Sequence, residues 1–142
     1  MHRISFRGTM ETLKGRIIYS GNAEGKALKS EEPISFFGAI DAKTGIVKDA
    51  AHPLFGQSIA GTILIFPTAK GSTVGSYILY SLKKLNAAPA AMILSECETI
   101  VAVGAIISEI PTIDSIPIHK IKTGDYIKIN GDEITFEDTS DC

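Results

Sequence analysis

Several residue types that mark common protein classes are scarce in this chain of 142 residues. It contains no tryptophan, two cysteines and three histidines, and its formal net charge is −2. Two cysteines are too few for a disulfide framework or for the four ligands that an iron–sulfur cluster normally takes. The small net charge argues against a broad nucleic-acid surface. The lack of a disulfide framework fits a cytoplasmic protein. No apolar run approaches the roughly 18 residues of a membrane-spanning helix, so we expect neither membrane nor nucleic-acid partners.

The composition instead fits one globular domain, because hydrophobic residues make up 44% of the chain and charged residues 21%. We assign residues 15–136 to this domain. Residues 1–14 lack the apolar core of a secretory signal. They are predicted to form a loose N-terminal extension, within which Met10 is an alternative start. Residues 137–142 are predicted to be a frayed acidic tail.

The order of apolar runs and turns predicts a mixed α/β fold with turn-rich β structure at both ends. Strands and turns alternate over the first fifty residues. The predicted strands are 15–20, 26–29 and 34–37, and the predicted turns are 21–25 and 41–45. Near the end of the chain, residues 124–136 predict a β-hairpin with a type I′ turn at Asn130 and Gly131.

An α/β layer is predicted between residues 61 and 118. Nearly continuous apolar runs, typical of strands buried on both faces, alternate there with helical patterns. The predicted strands are 61–66, 90–94 and 112–118, and the predicted helices are 76–86 and 98–109. This order of strands and helices requires parallel strands joined by crossover connections.

The turn between the first of these strands and the helix that follows is the most informative segment. Ser72 lies near the predicted helix start, where backbone N–H groups and the helix dipole stabilise negative charge. Gly71 permits close backbone approach, and Thr73 and Ser76 place further hydroxyl groups nearby. The same residue types are typical of a simple helix N-cap, and by themselves they favour that interpretation. Ser72 is nevertheless the first residue to test for catalysis.

Two common site motifs are excluded at this turn. A Walker A loop has its lysine directly after a glycine, whereas Lys70 precedes Gly71 here. A nucleophile elbow has one residue between each glycine and the serine, whereas Ser72 directly follows Gly71 and is separated from Gly75 by two residues. A covalent serine–histidine triad is also poorly supported, because no acid and histidine pair is an obvious partner.

Other charged or titratable residues could belong to the same site. His52, in the run from Asp49 to Pro53, could orient a substrate carboxylate or phosphate, although a loop histidine packed by Pro53 is the simpler interpretation. Lys70 could pair with an anionic substrate group or be a solvated loop lysine. The three histidines show no metal-ligand spacing, so no metal site is predicted on this chain.

A series of glycine-containing motifs, taken together, resembles the small-subunit family of aconitase X. The resemblance extends from about residue 15 to residue 117. It implies the β/β/α fold of the aconitase swivelling domain. The motifs are Gly21-x-Ala-x-Gly-x-Ala-Leu28, Pro33-Ile-Ser-Phe-Phe-Gly38, Asp41-x-x-Thr-Gly45, Asp49-x-x-His-Pro-Leu-x-Gly56, Gly71-Ser-Thr-x-Gly-Ser76 and Ala88-Pro-Ala90.

The resemblance also implies roles for individual residues. Ser72 matches the serine that the swivelling domain delivers to the active site, where it accepts a proton. Val74 stands where aconitase itself has an arginine, so substrate binding by that arginine is not carried over. The remaining residues expected to bind substrate or shape the site are Asp49, His52, Lys70, Gly71, Thr73 and Ser76.

The function implied by the resemblance is a two-chain hydro-lyase. This chain binds no cofactor in that interpretation, and a larger aconitase-type subunit carries a [4Fe–4S] cluster. Archaeal members of the family dehydrate (R)-5-phosphomevalonate to trans-anhydromevalonate 5-phosphate, a step of isoprenoid biosynthesis. Bacterial relatives act on cis-3-hydroxy-L-proline, which is one alternative. A non-catalytic module that binds an anion at the serine-rich turn is the alternative from a different class.

Overall fold

The computed structural model describes residues 9–70 and 74–138. The strands in these ranges are β1 (Thr9–Lys14), β2 (Arg16–Tyr19), β3 (Asn22–Lys29), β4 (Ile63–Phe66), β5 (Ala91–Leu94), β6 (Thr112–Asp114), β7 (Tyr126–Asn130) and β8 (Glu133–Asp138). The helical elements are a short turn α1 (Phe36–Ala39), the helices α2 (Gly75–Lys84) and α3 (Thr99–Ser108), and a 3-10 turn (Ile118–Lys120). The mixed α/β architecture predicted from the sequence is confirmed.

The eight described strands form one sheet with the order β1-β8-β7-β3-β4-β5-β6-β2. Strands β3 to β6 run parallel to one another. The alternation of strands and helices predicted this for β4, β5 and β6. The other strand pairs are antiparallel. The long strand β3 belongs to both parts of the sheet, because residues 22–26 pair with β7 and residues 27–29 pair with β4.

The parallel strands lie between two hydrophobic cores, because successive side chains along a strand point to opposite faces. In β4, Leu64 and Phe66 belong to a core that they share with Leu79 of α2. Ile63 and Ile65 belong to a second core, which the antiparallel strands β7 and β8 complete. The chain is therefore layered as helices, parallel strands and antiparallel strands, which is a β/β/α arrangement.

The two helices approach each other closely at Gly104 of α3. A Cβ atom at this position would lie 2.7 Å from Cδ1 of Leu79 and 3.2 Å from Cα of Ser76. Only glycine leaves room for that approach. The first turn of α2, which contains the buried Ser76, is thereby fixed against α3.

The predicted turn at residues 21–25 is wrong, because residues 22–25 lie inside β3. Cross-strand pairing with β7, from Asn22 opposite Asn130 to Lys26 opposite Tyr126, outweighs the local turn propensity of the glycine-containing sequence. The structure thus joins the predicted turn and the predicted short strand into one strand of eight residues.

The predicted strand at residues 34–37 is also wrong. Ile34 forms an isolated parallel bridge with Ala69, and the chain then turns at α1, where Gly38 has a φ of 103°. This left-handed conformation favours glycine and ends any extended segment. The result is that residues 33–35 lie beside the segment that follows β4.

The predicted turn at residues 41–45 is confirmed. The backbone N–H of Gly45 donates to the carbonyl oxygen of Asp41 over 2.9 Å, and Gly45 has a φ of 77°. One carboxylate oxygen of Asp41 accepts from the backbone N–H groups of Lys43 and Thr44. These hydrogen bonds lower the pKa of Asp41 and stabilise the turn.

The C-terminal hairpin is confirmed, but its turn type is not. Asn130 pairs with Glu133, so the two central residues are Gly131 and Asp132. Gly131 has a φ of 65°, and Asp132 is not among the residues with positive φ. A positive φ at the first central position only is typical of a type II′ turn rather than type I′.

Residues 9–14 are not a loose extension, because they form β1 and pair with β8 along their whole length. The pairing joins two strands from opposite ends of the sequence, which local patterns do not indicate. Residues 1–8 lie outside the described residues. So do residues 139–142 of the predicted tail, whereas residues 137 and 138 end β8.

Gly15 connects β1 and β2, which stand at opposite ends of the strand order. The two ends of the sheet must therefore come together at one residue. A Cβ atom on Gly15 would clash with the carbonyl oxygen of Asp114 and would lie 2.5 Å from Cγ2 of Ile113. A side chain at this position has no space.

We predict that Gly15→Ala lowers the free energy of unfolding by about 1–3 kcal/mol, because the new methyl group overlaps the backbone of Asp114. Chemical denaturation of the purified chain measures the effect. Gly25→Ala is the matched control, since its Cβ would meet nothing nearer than 3.6 Å. Equal stability of the two variants would contradict the packing constraint at Gly15.

Candidate functional site

The candidate site lies where the chain leaves β4 at the carboxyl end of the parallel strands, a common place for ligands in α/β folds. Residues 67–70 continue from β4 toward Ser72. The backbone N–H of Ile34 donates to the carbonyl oxygen of Thr68 over 3.1 Å, and the N–H of Lys70 donates to the carbonyl oxygen of Ile34 over 3.0 Å. This exit segment, residues 67–70, is therefore fixed along one side.

A polar cleft of about 230 Å³ lies beside the exit segment. Three residues that the sequence analysis assigned to the site, Asp49, His52 and Lys70, line this cleft together. The other lining residues are Glu32, Pro33, Ser35, Ala39, Ala51 and Pro53. The structure thus brings together side chains from segments that are 21 residues apart between Asp49 and Lys70.

Asp49 begins a tight turn at the edge of the cleft. One oxygen of its carboxylate accepts a hydrogen bond from the backbone N–H of Ala51 over 3.0 Å. Its carbonyl oxygen accepts from the backbone N–H of His52 over 3.0 Å. Asp49 therefore shapes the turn that presents His52, while its exposed carboxylate also contributes negative charge to the lining of the cleft.

His52 connects two loops through both nitrogens of its ring. Nδ1 accepts from the backbone N–H of Leu54 over 3.1 Å, so the ring proton is assigned to Nε2. Nε2 lies 3.3 Å from the carbonyl oxygen of Pro33 and 3.4 Å from Oγ of Ser30. These contacts support the simpler interpretation of His52, in which the ring holds the loops in place, although the anchor is residues 30–33 rather than Pro53.

Ser30 is a member of this network that the sequence analysis missed. It is fully buried, and its hydroxyl donates to the carbonyl oxygen of Glu32 over 2.7 Å. The same oxygen accepts from the backbone N–H of Glu32 over 3.0 Å. The position of a serine directly after a strand and before Glu31, Glu32 and Pro33 is the local signal for such a turn.

The glycine and hydroxyl residues of the serine-rich turn are only partly described. Gly71, Ser72 and Thr73 lie outside the described residues, so their predicted roles stay predictions. On the two sides of them, Lys70 is exposed and lines the cleft, and the helical backbone of α2 extends back to Val74. In the sequence, Val74 separates these three residues from the ten-residue helix α2, which begins at Gly75.

A second polar cluster lies at the same end of the sheet, centred on Asp114. Nε and Nη2 of Arg16 donate to the two carboxylate oxygens over 2.9 and 2.7 Å. The backbone N–H of Cys97 donates over 2.8 Å and the hydroxyl of Ser115 over 3.2 Å. The hydrogen bonds from Arg16 contribute most to lowering the pKa of Asp114. No local sequence pattern indicated this cluster.

The described residues do not fit a metal cofactor. Among residues 9–70 and 74–138, no group of three histidine, cysteine, aspartate or glutamate side chains could hold a metal ion. The thiol of Cys97 is half-buried, and burial raises its pKa to about 11, so the thiolate that binds iron or zinc is disfavoured at neutral pH. No helix in the described ranges is long and apolar enough to span a membrane.

Comparison with known proteins identifies close relatives. A family model described as the aconitase X swivel domain matches residues 12–137. The phosphomevalonate dehydratase small subunit of Thermococcus kodakarensis is 56% identical over 120 residues, which cover 84% of this chain and 90% of that protein. The same subunit from Methanosarcina acetivorans is 56% identical over 124 residues, covering 85% and 86%.

A solved structure shares the fold. The crystal structure of Thermococcus kodakaraensis aconitase X in its holo-form superimposes with a TM-score of 0.87 at 52% sequence identity, and the match covers 89% of this chain and 98% of that one. The fold predicted from the resemblance is therefore confirmed.

We predict that His52→Ala lowers the free energy of unfolding by about 1–3 kcal/mol, because it leaves the N–H of Leu54 without its ring acceptor and unties the two loops. Thermal or chemical denaturation of the chain measures this loss. His119→Ala, at an exposed position on the 3-10 turn, is the control and should stay within about 0.5 kcal/mol of the wild type. Wild-type stability of His52→Ala would rule out the loop-holding role.

Proposed function

The chain belongs to the aconitase X swivel domain family, and we propose that it acts as the small subunit of a phosphomevalonate dehydratase. The observation that carries the proposal is the match to the family model over residues 12–137, together with the identity to named small subunits over most of the chain. The matched region includes the polar cleft, the exit segment and the serine-rich turn.

The proposed reaction is the removal of water from (R)-5-phosphomevalonate, which gives trans-anhydromevalonate 5-phosphate. The proton that is removed is bound to the carbon next to a carboxylate and is only weakly acidic. The base that removes it must therefore be held close to this carbon and shielded from water. We assign this base to Ser72. Support comes from its position in the sequence, three residues before α2 begins at Gly75, because the helix dipole is positive at that end and stabilises an alkoxide.

The other assigned residues bind the substrate or shape its cleft. Lys70 is the cation among the described residues that line the cleft, and we assign it to an anionic group of the substrate. Asp49 and His52 hold their loop at the same cleft in place through the hydrogen bonds described above. Gly71 and Thr73 flank Ser72 in sequence, and together with Ser76 in the first turn of α2 they complete the assigned set.

A large subunit is expected to cover this end of the chain. The iron–sulfur cluster is assigned to that subunit, since the residues described here do not fit one. When bound there, the cluster supplies Lewis-acid chemistry to the carboxylate and the leaving hydroxyl. Phe37 and Phe55 are 52% and 55% exposed, and we expect a partner to cover such apolar side chains. The free thiol of Cys97 agrees with the reducing cytoplasm as the compartment.

We predict that Ser72→Ala lowers kcat by about 10³-fold or more, because the base of the elimination is lost, while assembly and the iron content of the large subunit stay unchanged. The wild-type and variant chains are each co-expressed anaerobically with the large subunit, and dehydration of 5-phosphomevalonate is followed by NMR. Ser20→Ala, at an exposed serine between β2 and β3, is the matched control.

The same assay separates the alternatives. Turnover retained by Ser72→Ala would remove Ser72 from the role of base. A stable wild-type complex that dehydrates cis-3-hydroxy-L-proline instead of 5-phosphomevalonate would change the substrate. If no complex forms with the large subunit, the better interpretation of the serine-rich turn is a non-catalytic anion site.

A second prediction concerns Lys70. Lys70→Ala should raise KM for the phosphorylated substrate about 10-fold with little change in kcat, as expected when a hydrogen bond to a charged group is lost equally from the ground state and the transition state. Steady-state kinetics of the assembled complex measure both constants. Lys43→Ala, an exposed lysine of the 41–45 turn, should leave KM unchanged. An unchanged KM in Lys70→Ala would contradict the assignment.

A further inference from the structure

At the carboxyl end of the parallel strands, one buried carboxylate is hydrogen-bonded to the first residue of β2 and to two loops. Asp114, the last residue of β6, is only 1% exposed. Its carboxylate oxygens accept from Arg16, which begins β2, and from the backbone N–H of Cys97 in the loop after β5. The same carboxylate accepts from the hydroxyl of Ser115, which follows β6.

The loop after β5 connects the Asp114 cluster to the candidate site through hydrogen bonds. The backbone N–H of Ser115 donates to the carbonyl oxygen of Ser95 over 3.1 Å. The backbone N–H of Glu96 donates over 3.1 Å to the carbonyl oxygen of Pro67, which is the first residue of the exit segment. Residues 95–97 are thus bonded to the Asp114 cluster on one side and to the exit segment on the other.

The exit segment is therefore held from two directions. Ile34 bonds to Thr68 and Lys70 on the side of the cleft, and Glu96 bonds to Pro67 on the side of β5. Four residues separate Pro67 from Ser72 in sequence. A displacement of the loop at residues 95–97 would move one of the two supports of the segment that leads to the serine.

Arg16 determines how the buried carboxylate is oriented. The side chain of Arg16 is 64% exposed, whereas that of Asp114 is 2% exposed, so the cation reaches inward from the surface. Its two parallel hydrogen bonds fix the plane of the carboxylate, with Oδ2 directed at the N–H of Cys97. A guanidinium group makes this two-point contact and an ammonium group does not.

We propose that Arg16 and Asp114 are positioning residues for the dehydration, because their pair orients the loop at residues 95–97 against Pro67 and so aligns the segment that leads to Ser72. The inference rests on the proposed function of the chain. Neither residue contacts the polar cleft, and both act through the hydrogen bonds of Cys97 and Glu96.

Kinetics of the complex with the large subunit test the catalytic part. Arg16→Ala should lower kcat about 10-fold or more, since small displacements of a reacting group are costly, while KM rises less than about three-fold. Arg16→Ala should thus change kcat more than KM, whereas Lys70→Ala should change KM more than kcat. Arg16→Lys should recover only part of the loss. Lys14→Ala is the matched control, because Lys14 pairs over 3.7 Å with Glu133, whose side chain is exposed.

A second measurement tests the loop tie without any turnover. Amide hydrogen exchange of the full chain, followed by NMR, should be faster at Cys97 and Glu96 in Arg16→Ala than in the wild type, and unchanged in Lys14→Ala. If exchange at both amides is unchanged in Arg16→Ala, the proposed connection between the Arg16–Asp114 pair and the loop at residues 95–97 is overturned. Faster exchange with wild-type kcat would overturn the positioning role and leave a purely structural pair.

The two measurements also separate this inference from the proposed function. If the wild-type complex does not dehydrate 5-phosphomevalonate, the proposed function fails, and with it the catalytic role of the pair. If the wild-type complex is active and Arg16→Ala has the same kcat and KM as Lys14→Ala, the proposed function stands and the positioning role is overturned.

Discussion

The close approach of backbone at Gly15 is the constraint from which the arrangement of the site end follows. Strands β1 and β2 occupy opposite ends of the strand order, and one residue without a side chain joins them against the carbonyl group of Asp114. This approach lets β2 pair with β6, which places Arg16 opposite Asp114. The ion pair, the loop after β5 and the exit segment all depend on that pairing. A methyl group at residue 15 would therefore disturb the ion pair and these two segments as well as the local packing.

The parallel strands gather the site because their carboxyl ends meet at one edge of the sheet. The exit segment with Lys70 follows β4, the loop at residues 95–97 follows β5, and Asp114 is the last residue of β6. The loops at residues 30–33 and 49–56, joined through His52, close the cleft from the other side. The polar groups of Ser30, His52 and Asp114 hold loops in place, which suits the proposed role of presenting a base accurately to a substrate bound elsewhere.

The proposed roles of the two subunits explain how a chain whose described residues do not fit a metal site can belong to a dehydratase family. Its described residues supply a helix N-terminus, a cation beside a cleft, and hydrogen bonds that support residues 67–70. In the proposed function, the Lewis acid belongs to the large subunit, so the chemistry requires two chains to meet. Exposed aromatic side chains at Phe37 and Phe55 and the polar cleft near them are consistent with an end of the molecule that a partner covers.

The sequence by itself determined the α/β layer, the Asp41 turn, the C-terminal hairpin and the family, because apolar periodicity, turn chemistry and spaced motifs are recorded in neighbouring residues. It also singled out Asp49, His52 and Lys70, which the structure places around one cleft. Only the tertiary structure decided that residues 9–14 form an edge strand, that His52 joins two loops, and that Arg16 binds Asp114 across 98 residues. Such contacts depend on strand pairing and burial between distant segments, and no local pattern specifies which distant partner a strand or a charge will meet.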